Sequence, residues 1–263
     1  MKMSGPRSWD ATCMRYWASA PPTRTGEIET RDGQFLIGSA KRALSADKKF
    51  DRYFFIENDK KKVAELCKMV NTEFPDLKEI VKIYCGDANE KIEQILRDLN
   101  WRYNRGLLFL DPYATEVNWT TLETVAKTKS IDVWYLFPFS ALNRMLPKNG
   151  KYKMWKDCID RLLGDSGWQT EFYMDDPQKL LWDLLPDSEA FDSDPRKIKV
   201  NPERIKAYII SRLETIFPCV SKHPKIFRNS KNSPLFLFFF AISNESEKAQ
   251  NIALRMADHI LLH

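Results

Sequence analysis

Apolar and polar residues alternate with two different periods from about residue 35 onward. Some segments carry apolar residues every three or four positions, as at Val63, Leu66, Cys67 and Val70, which predicts amphipathic helices. Between them lie short apolar runs that predict buried strands, namely DRYFFIE (51–57), VKIYCGD (81–87), GLLFLD (106–111) and IDVWYLFPF (131–139). Strands that alternate with helices of about ten to fifteen residues predict βαβ units and an α/β fold with a parallel sheet.

The pattern changes after Pro138. Residues at about 140–216 are predicted to form a mainly helical insertion, which an acidic loop at 174–196 interrupts. Two apolar stretches on either side of a polar turn, at 219–242, predict a terminal antiparallel hairpin. A last helix follows, and its helical spacing predicts a buried face formed by Ile252, Met256 and Ile260.

The composition limits the class of protein. The chain has 263 residues, of which 43% are hydrophobic and 29% charged, as in a soluble globular protein with one large domain. The formal charge of +5 suits an anionic partner without requiring one. The five scattered cysteines form no C-x-x-C pair, and the histidines have no ligand spacing, so we expect a reduced compartment and no metal. No apolar run is long enough to span a bilayer, so we predict a cytoplasmic protein without membrane contact.

Three predicted strands end on acids: Glu57, Asp87 and Asp111. Ligands bind at the carboxyl ends of parallel strands, where an acid typically accepts hydrogen bonds from ribose hydroxyls. Each acid could instead be a strand-terminating turn residue or a helix N-cap. Because chance rarely aligns three acids on one sheet edge, the functional interpretation is favoured for the set.

The acid of the third strand begins the sequence Asp111-Pro112-Tyr113. Enzymes that methylate an exocyclic amine must take up the proton that a poorly nucleophilic nitrogen loses. A rigid strand-end loop with a carboxylate could do this, and Tyr113 could stack on a base taken out of its helix. The alternative is a Pro-containing turn with Tyr113 packed in the core.

The segment between Thr215 and Asn244 contains no acidic residue. Its cations predict contacts with nucleic-acid phosphates, although a solvated loop without a partner is the alternative. They are Lys222, Lys225, Arg228 and Lys231.

The segments FFIE, CGD, LLFLDPYATEVNW and PLFLFFFAISNESEKAQNIAL together resemble the three-Cys-motif partner (TcmP) family over about residues 26–263. Members resemble class I S-adenosylmethionine (SAM) dependent methyltransferases. They are named for proteins encoded nearby that carry a three-cysteine motif. The resemblance implies a Rossmann-like methyltransferase sheet, mostly parallel with a C-terminal antiparallel hairpin, and SAM as the cofactor.

Carried over by position, the resemblance assigns Glu57 to the cofactor ribose and Asp87 to a place beside its adenine, and Ala88 is a further candidate cofactor-binding residue. Asp111, Pro112 and Tyr113 match the catalytic loop. The family's first strand and glycine loop have no clear counterpart, because residues 1–30 contain no Leu, Val or Phe and no G-x-G-x-x-G occurs. Only Gly26 fits a cofactor-binding glycine. We therefore expect an atypical or disordered N-terminus at 1–30, a missing or aberrant first strand, and a methyltransferase-like α/β domain at 31–263.

The leading hypothesis is a SAM-dependent methyltransferase that acts on an amino group of nucleic acid. The alternative is a catalytically inactive partner subunit of a three-Cys-motif protein, which the unusual N-terminus favours. A dehydrogenase would need the glycine fingerprint, and a two-metal nuclease would need more clustered acids, so both rank low. The sequence does not predict an oligomeric state.

Overall fold

A computed structural model of the chain describes residues 11–17, 38–148, 152–175 and 197–262. Its strands are β1 Ala11–Trp17, β2 Arg52–Glu57, β3 Val81–Cys85, β4 Arg105–Asp111, β5 Ile131–Phe137, β6 Tyr173–Asp175, β7 Lys197–Lys199, β8 Cys219–Val220, β9 Lys225–Arg228 and β10 Pro234–Ile242. Its α-helices are α1 Ser39–Ser45, α2 Lys60–Glu73, α3 Ala88–Asp98, α4 Trp119–Lys127, α5 Phe139–Met145, α6 Lys156–Leu163, α7 Trp168–Glu171, α8 Pro202–Glu214 and α9 Glu247–Leu262. Short 3₁₀ helices occupy Pro75–Ile80 and Lys153–Trp155.

The main sheet has the strand order β3-β2-β1-β4-β5-β10-β8, with β9 beside β10. Strands β1 to β5 pair in parallel, whereas β10 is antiparallel to β5, β8 and β9. A separate ribbon, β6-β7, is also antiparallel. The α/β fold is confirmed, and the predicted C-terminal hairpin is formed by β9 and β10. The prediction of a mostly parallel sheet is wrong. Connections that contain helices join β1 to β5 in sequence, and these strands pair in parallel. A short turn joins β9 to β10 and makes that pair antiparallel.

Strand β1 lies inside the main sheet, between β2 and β4, so the expectation of a missing first strand is wrong. It pairs with β2 from Thr12 to Tyr16 and with β4 from Ala11 to Trp17. The prediction relied on the lack of Leu, Val and Phe. The segment ATCMRYW nevertheless contains Thr, Tyr and Trp, which favour strands, together with apolar Cys and Met. Gly26, proposed for the cofactor loop, lies outside the described residues, as does the rest of 1–30 apart from β1.

Apolar residues cover both faces of the main sheet, which explains why the strands have nearly continuous apolar sequences. On one face, Phe54, Ile56, Leu108 and Leu110 belong to the largest core cluster, together with residues of α3 to α8. On the other face, β2 packs against α1 and α2, and β10 packs against α9. Helices therefore pack on both faces of the main sheet.

Helix α9 is rotated relative to the prediction. Ile252, Met256 and Ile260, expected to be buried, are 49%, 67% and 52% exposed. The buried residues are Ala257 and Leu261, which pack on β10. Both sets have helical spacing, so periodicity alone could not choose between them. The small side chain of Ala257 lets the helix approach the sheet closely.

Between β5 and β8 the chain forms α5 to α8 and the β6-β7 ribbon, in agreement with a mainly helical insertion. Most of the acidic loop at 174–196 lies outside the described residues. The assignment of a single methyltransferase-like domain to 31–263 stays a prediction. None of the described helices is long and apolar enough to cross a membrane.

Candidate active site at the carboxyl edge of the sheet

Glu57 and Asp111 flank β1 at the same height. Tyr16 of β1 pairs with Ile56 on one side and with Leu110 on the other. The residues that follow these partners are Glu57 and Asp111, the last residues of β2 and β4. Ile56 and Leu110 share one core cluster, so the two acids point to the opposite face of the sheet. Two strand spacings of about 4.8 Å separate the acids, or roughly 10 Å.

The carboxylate of Glu57 is buried, with only 1% of the residue exposed. Its Oε1 accepts a 3.0 Å hydrogen bond from the backbone N–H of Asp59. Its Oε2 is buried and has no hydrogen-bond partner among the described residues. A buried polar oxygen without a partner is costly, and such oxygens in native proteins call for an explanation. Here the orphaned oxygen lies where a ligand is expected.

Asp87 caps α3, because its Oδ1 accepts a hydrogen bond of 3.2 Å from the backbone N–H of Glu90. Gly86 makes the turn before it with φ 144°, in a region that favours glycine. The Gly86 N–H donates to the carbonyl of Glu57, which ties the ends of β2 and β3 together at 3.1 Å. The N-cap interpretation is therefore correct for Asp87, and the carboxylate also lines a cleft. Ala88 is buried in the core, so its side chain contributes packing.

That cleft, of about 300 Å³, lies between the ends of β2, β3 and β4. The residues that line it are polar or charged, namely Asn58, Asp87, Asn89, Glu116, Asn118 and Arg161. Of these residues, the sequence analysis identified only Asp87. Four of the five missed residues lie in loops or on a helix just after strand ends, where polar side chains are common, and the fifth, Arg161, lies on α6. Asp111 and Tyr113 do not line this cleft, so the site has two separate parts.

Asn89 connects α3 to the loop after β4. Its Nδ2 donates to the carbonyl of Glu116 at 2.9 Å. Its Oδ1 accepts from the backbone N–H of Asn118 at 3.0 Å and from the hydroxyl of Thr121 at 2.7 Å. These three hydrogen bonds fix the loop that carries the candidate catalytic residues. The partners are 27 to 32 positions away along the chain, so nothing in the local sequence indicates them.

Burial raises the pKa of the Asp111 carboxyl from 3.8 to about 6. Pro112 is buried, and Ala114 turns the loop with φ 53°. Tyr113 is 44% exposed, so the alternative that its ring packs in the core is wrong. The loop thus offers a proton acceptor poised near neutral pH beside an aromatic ring that a planar group can reach.

The hairpin turn lies at the same edge of the sheet as this loop. Leu237 of β10 pairs with Phe137, the last residue of β5, so the earlier residues of β10 project beyond the carboxyl edge. Arg228 pairs with Pro234 at the start of β10, and Lys231 lies in the turn. Nη1 of Arg228 also donates to the carbonyl of Asn232 at 3.0 Å, which closes the turn. Arg228 and Lys231 are both exposed.

The two remaining cations of the predicted phosphate-binding set differ in position. Lys225 lies opposite Phe238, which pairs with Leu136, so it stands level with the end of β4. Lys222 lies between β8 and β9, set back from the edge, and its ammonium group pairs with Glu214. The structure therefore places three of the four cations toward the edge of the sheet where Asp111 lies, on the strand three positions away from β4 or in its turn, and sets Lys222 back from that edge.

Comparisons with known proteins add no assignment, because neither a scan against protein-family models nor a search of curated proteins finds a match to this chain. The described part of the chain has no group of three or more His, Cys, Asp or Glu residues that could hold a metal ion.

Proposed function

We propose that the chain is a SAM-dependent methyltransferase that transfers a methyl group to an exocyclic amino group of nucleic acid. The resemblance to the TcmP family implies SAM-dependent methyl transfer, whereas the Asp111-Pro112-Tyr113 loop and the cations at 222–231 suggest an amino group of nucleic acid as the target. The observation that carries the proposal is the placement of Glu57 and Asp111 on either side of β1, on one face of the sheet. One acid can hold a nucleoside, and the other can face the reacting amine.

The sheet topology supports a Rossmann-like methyltransferase fold. The order β3-β2-β1-β4-β5 is that of doubly wound nucleotide-binding sheets, in which the ligand lies at the point where the strand order reverses. That point falls between β1 and β4, beside Asp111. The antiparallel β10 next to β5 fits the C-terminal hairpin expected for this fold.

The described residues fit a nucleoside cofactor. The free Oε2 of Glu57 can accept a hydrogen bond from a ribose hydroxyl. Asp87 and the amides of the polar cleft can pair with the edge of a base. When bound, SAM supplies an electrophilic methyl group.

The substrate amine is handled by the loop after β4. Asp111, with a pKa of about 6, is mostly ionised at neutral pH and can accept a hydrogen bond and then the proton of the amine. Pro112 restricts the loop backbone. Tyr113 offers its exposed ring for stacking on the target base.

The test compares Asp111→Ala with Asp98→Ala, an exposed acid at the C-terminal end of α3. Transfer of a radiolabelled methyl group from SAM to DNA and RNA is measured for each variant, and SAM binding is measured by calorimetry. Asp111→Ala should lose transfer and keep cofactor binding, while Asp98→Ala keeps both. Unchanged transfer in Asp111→Ala would overturn the assignment.

A second candidate function is a partner subunit of a three-Cys-motif protein. The exposed apolar stripe on α9, formed by Ile252, Met256 and Ile260, favours it, because exposed apolar patches mark protein interfaces. Co-purification with the neighbouring three-Cys-motif protein, lost in Met256→Asp, would support this function. If the chain binds SAM and elutes separately from the three-Cys-motif protein when the two are mixed, the partner-subunit function is excluded.

A further inference from the structure

We infer that the substrate of this site is single-stranded nucleic acid, held along the carboxyl edge of the sheet between Tyr113 and Phe227. The inference rests on the proposed methyltransferase function and extends it to the form of the substrate and to a second stacking residue. Both rings are unusually accessible for aromatic residues, at 44% and 42% exposure.

Phe227 lies on the same face of the sheet as Asp111. Its ring centroid is 6.1 Å from that of Phe238, and Phe238 is 6.0 Å from Phe109, two residues before Asp111 on β4. The ring of Phe227 thus packs at a tilt against Phe238, while 42% of the residue stays exposed. A supported, open ring is a platform on which a base can stack.

The spacing between β9, which carries Phe227, and β4, which precedes Tyr113, suits a short stretch of single-stranded nucleic acid. Three strand spacings, from β9 through β10 and β5 to β4, span about 14 Å at 4.8 Å each. That is roughly four nucleotides at the 3.4 Å spacing of a duplex strand, and fewer when the strand is extended. A target base at Tyr113 and a flanking base at Phe227 can therefore belong to one strand.

The charges around this path favour phosphates. Lys225 and Arg228 flank Phe227 on β9, and Lys231 lies in the turn that follows, so the cations are grouped at the Phe227 end of the path. The segment from Thr215 to Asn244 contains no acidic residue. Cations beside exposed aromatic rings are the combination that binds single strands without strong sequence preference.

A duplex fits the same surface poorly. Its base faces are covered by stacking, so neither Tyr113 nor Phe227 can reach one without unstacking the helix. Its exocyclic amines are engaged in pairing, which withdraws them from Asp111. An unpaired strand offers both the faces and the amines at no such cost.

The experiment measures fluorescence anisotropy with a labelled 12-nucleotide single strand, as DNA and as RNA, and with the matched duplex at low salt. The wild type should bind the single strand at least ten-fold more tightly than the duplex. Phe227→Ala should weaken single-strand binding about 5- to 100-fold, the range for loss of one stacked base. Phe227→Leu keeps an apolar contact with Phe238 and should bind the single strand nearly as weakly as Phe227→Ala does. Weak binding by this variant would reflect the loss of base stacking and not a loss of folding.

Lys222→Ala is the matched control, because Lys222 is paired with Glu214 and set back from the edge. It should leave binding unchanged, whereas Arg228→Ala should lower the salt slope of binding by about one. Equal affinity for the duplex, or full binding by both Phe227 variants, would overturn the inference.

SAM titration of the same proteins distinguishes loss of the strand-binding site from loss of the cofactor site. If the chain binds SAM but not single strands, the proposed methyltransferase function stands and the single-strand substrate is overturned. If the chain binds single strands through Phe227 but does not bind SAM, the strand-binding site stands and the proposed methyl transfer is overturned.

Discussion

The backbone N–H of Asp59 donates a 3.0 Å hydrogen bond to Oε1 of Glu57, and this leaves Oε2 buried without a partner among the described residues. Asp59 is also the N-cap of α2, so the same short turn starts the helix and orients the carboxylate. The carboxylate is therefore already oriented to accept a hydrogen bond from a hydroxyl group of a ligand. Hydrogen bonds to charged groups contribute about 1.5–3 kcal/mol.

Glu57→Gln should therefore weaken SAM binding by roughly 10- to 100-fold, because the amide loses the charge and half of the acceptor capacity. Calorimetric titration with SAM and with its demethylated product measures the change. Glu65→Gln, on the exposed surface of α2, is the control and should bind as the wild type does. Wild-type affinity in Glu57→Gln would show that this oxygen does not hold the cofactor.

The raised pKa of Asp111 predicts a pH-dependent contribution to stability. Burial moves the pKa from 3.8 to about 6 in the folded chain. A carboxyl whose pKa is raised by folding stabilises the fold fully below pH 3.8, and this contribution is lost as the pH rises through about 6. Asp111→Asn removes the ionisation, so its stability relative to the wild type should increase between pH 4 and pH 8.

The expected increase is about 1–2 kcal/mol, since one pKa unit corresponds to about 1.4 kcal/mol and partial contact with solvent reduces the effect. Urea unfolding at several pH values measures it. Asp98→Asn, at an exposed position, should show no comparable trend. A relative stability of Asp111→Asn that is flat from pH 4 to pH 8 would contradict the burial argument.

Gly164 lies against Trp119, which follows the loop of the candidate active site. It ends α6 with φ 76°, and a Cβ built there would lie 2.1 Å from Cδ1 of Trp119. Trp119 begins α4, directly after the loop that carries Tyr113, and the guanidinium of Arg212 lies 4.8 Å from its ring. Any side chain at Gly164 must displace this packed indole as well as strain the backbone.

Gly164→Ala should lower the free energy of unfolding by about 2–5 kcal/mol, as overpacking and left-handed strain add together. Gly167→Ala is the matched control, because its φ of −63° is helical and the nearest atom to a Cβ is the Tyr208 Oη at 3.2 Å. It should cost less than about 1 kcal/mol. Equal losses in denaturant melts would mean that Trp119 yields more easily than its packing indicates.

The strand ends of the site could be predicted from the sequence. Strand β2 is buried on both faces, and β4 is buried on one face and partly buried on the other, so both have nearly continuous apolar sequences that stop at Glu57 and Asp111. The predicted last residues of both strands agree with the structure. The acids interrupt the apolar runs, and this places them at the sheet edge.

Features that depend on distant neighbours could not be predicted in the same way. Strand β1 has few aliphatic residues, and its place in the sheet depends on pairing with β2 and β4 rather than on its own composition. Asn89 is linked to partners on another helix and loop, which no local pattern encodes. The cleft follows from these tertiary contacts, so its polar lining was missed.

The orientation of α9 determines which of its apolar residues stabilise the fold. Leu261 is 4% exposed and packs in the cluster beneath β10, so Leu261→Ala should cost about 2–5 kcal/mol of unfolding free energy. Met256 faces outward, and Met256→Ala should change stability by less than about 0.5 kcal/mol. Thermal and urea unfolding of both variants measure the difference. A large loss in Met256→Ala with little effect of Leu261→Ala would restore the orientation that the apolar periodicity first predicted, and would remove the exposed stripe that favours a protein partner.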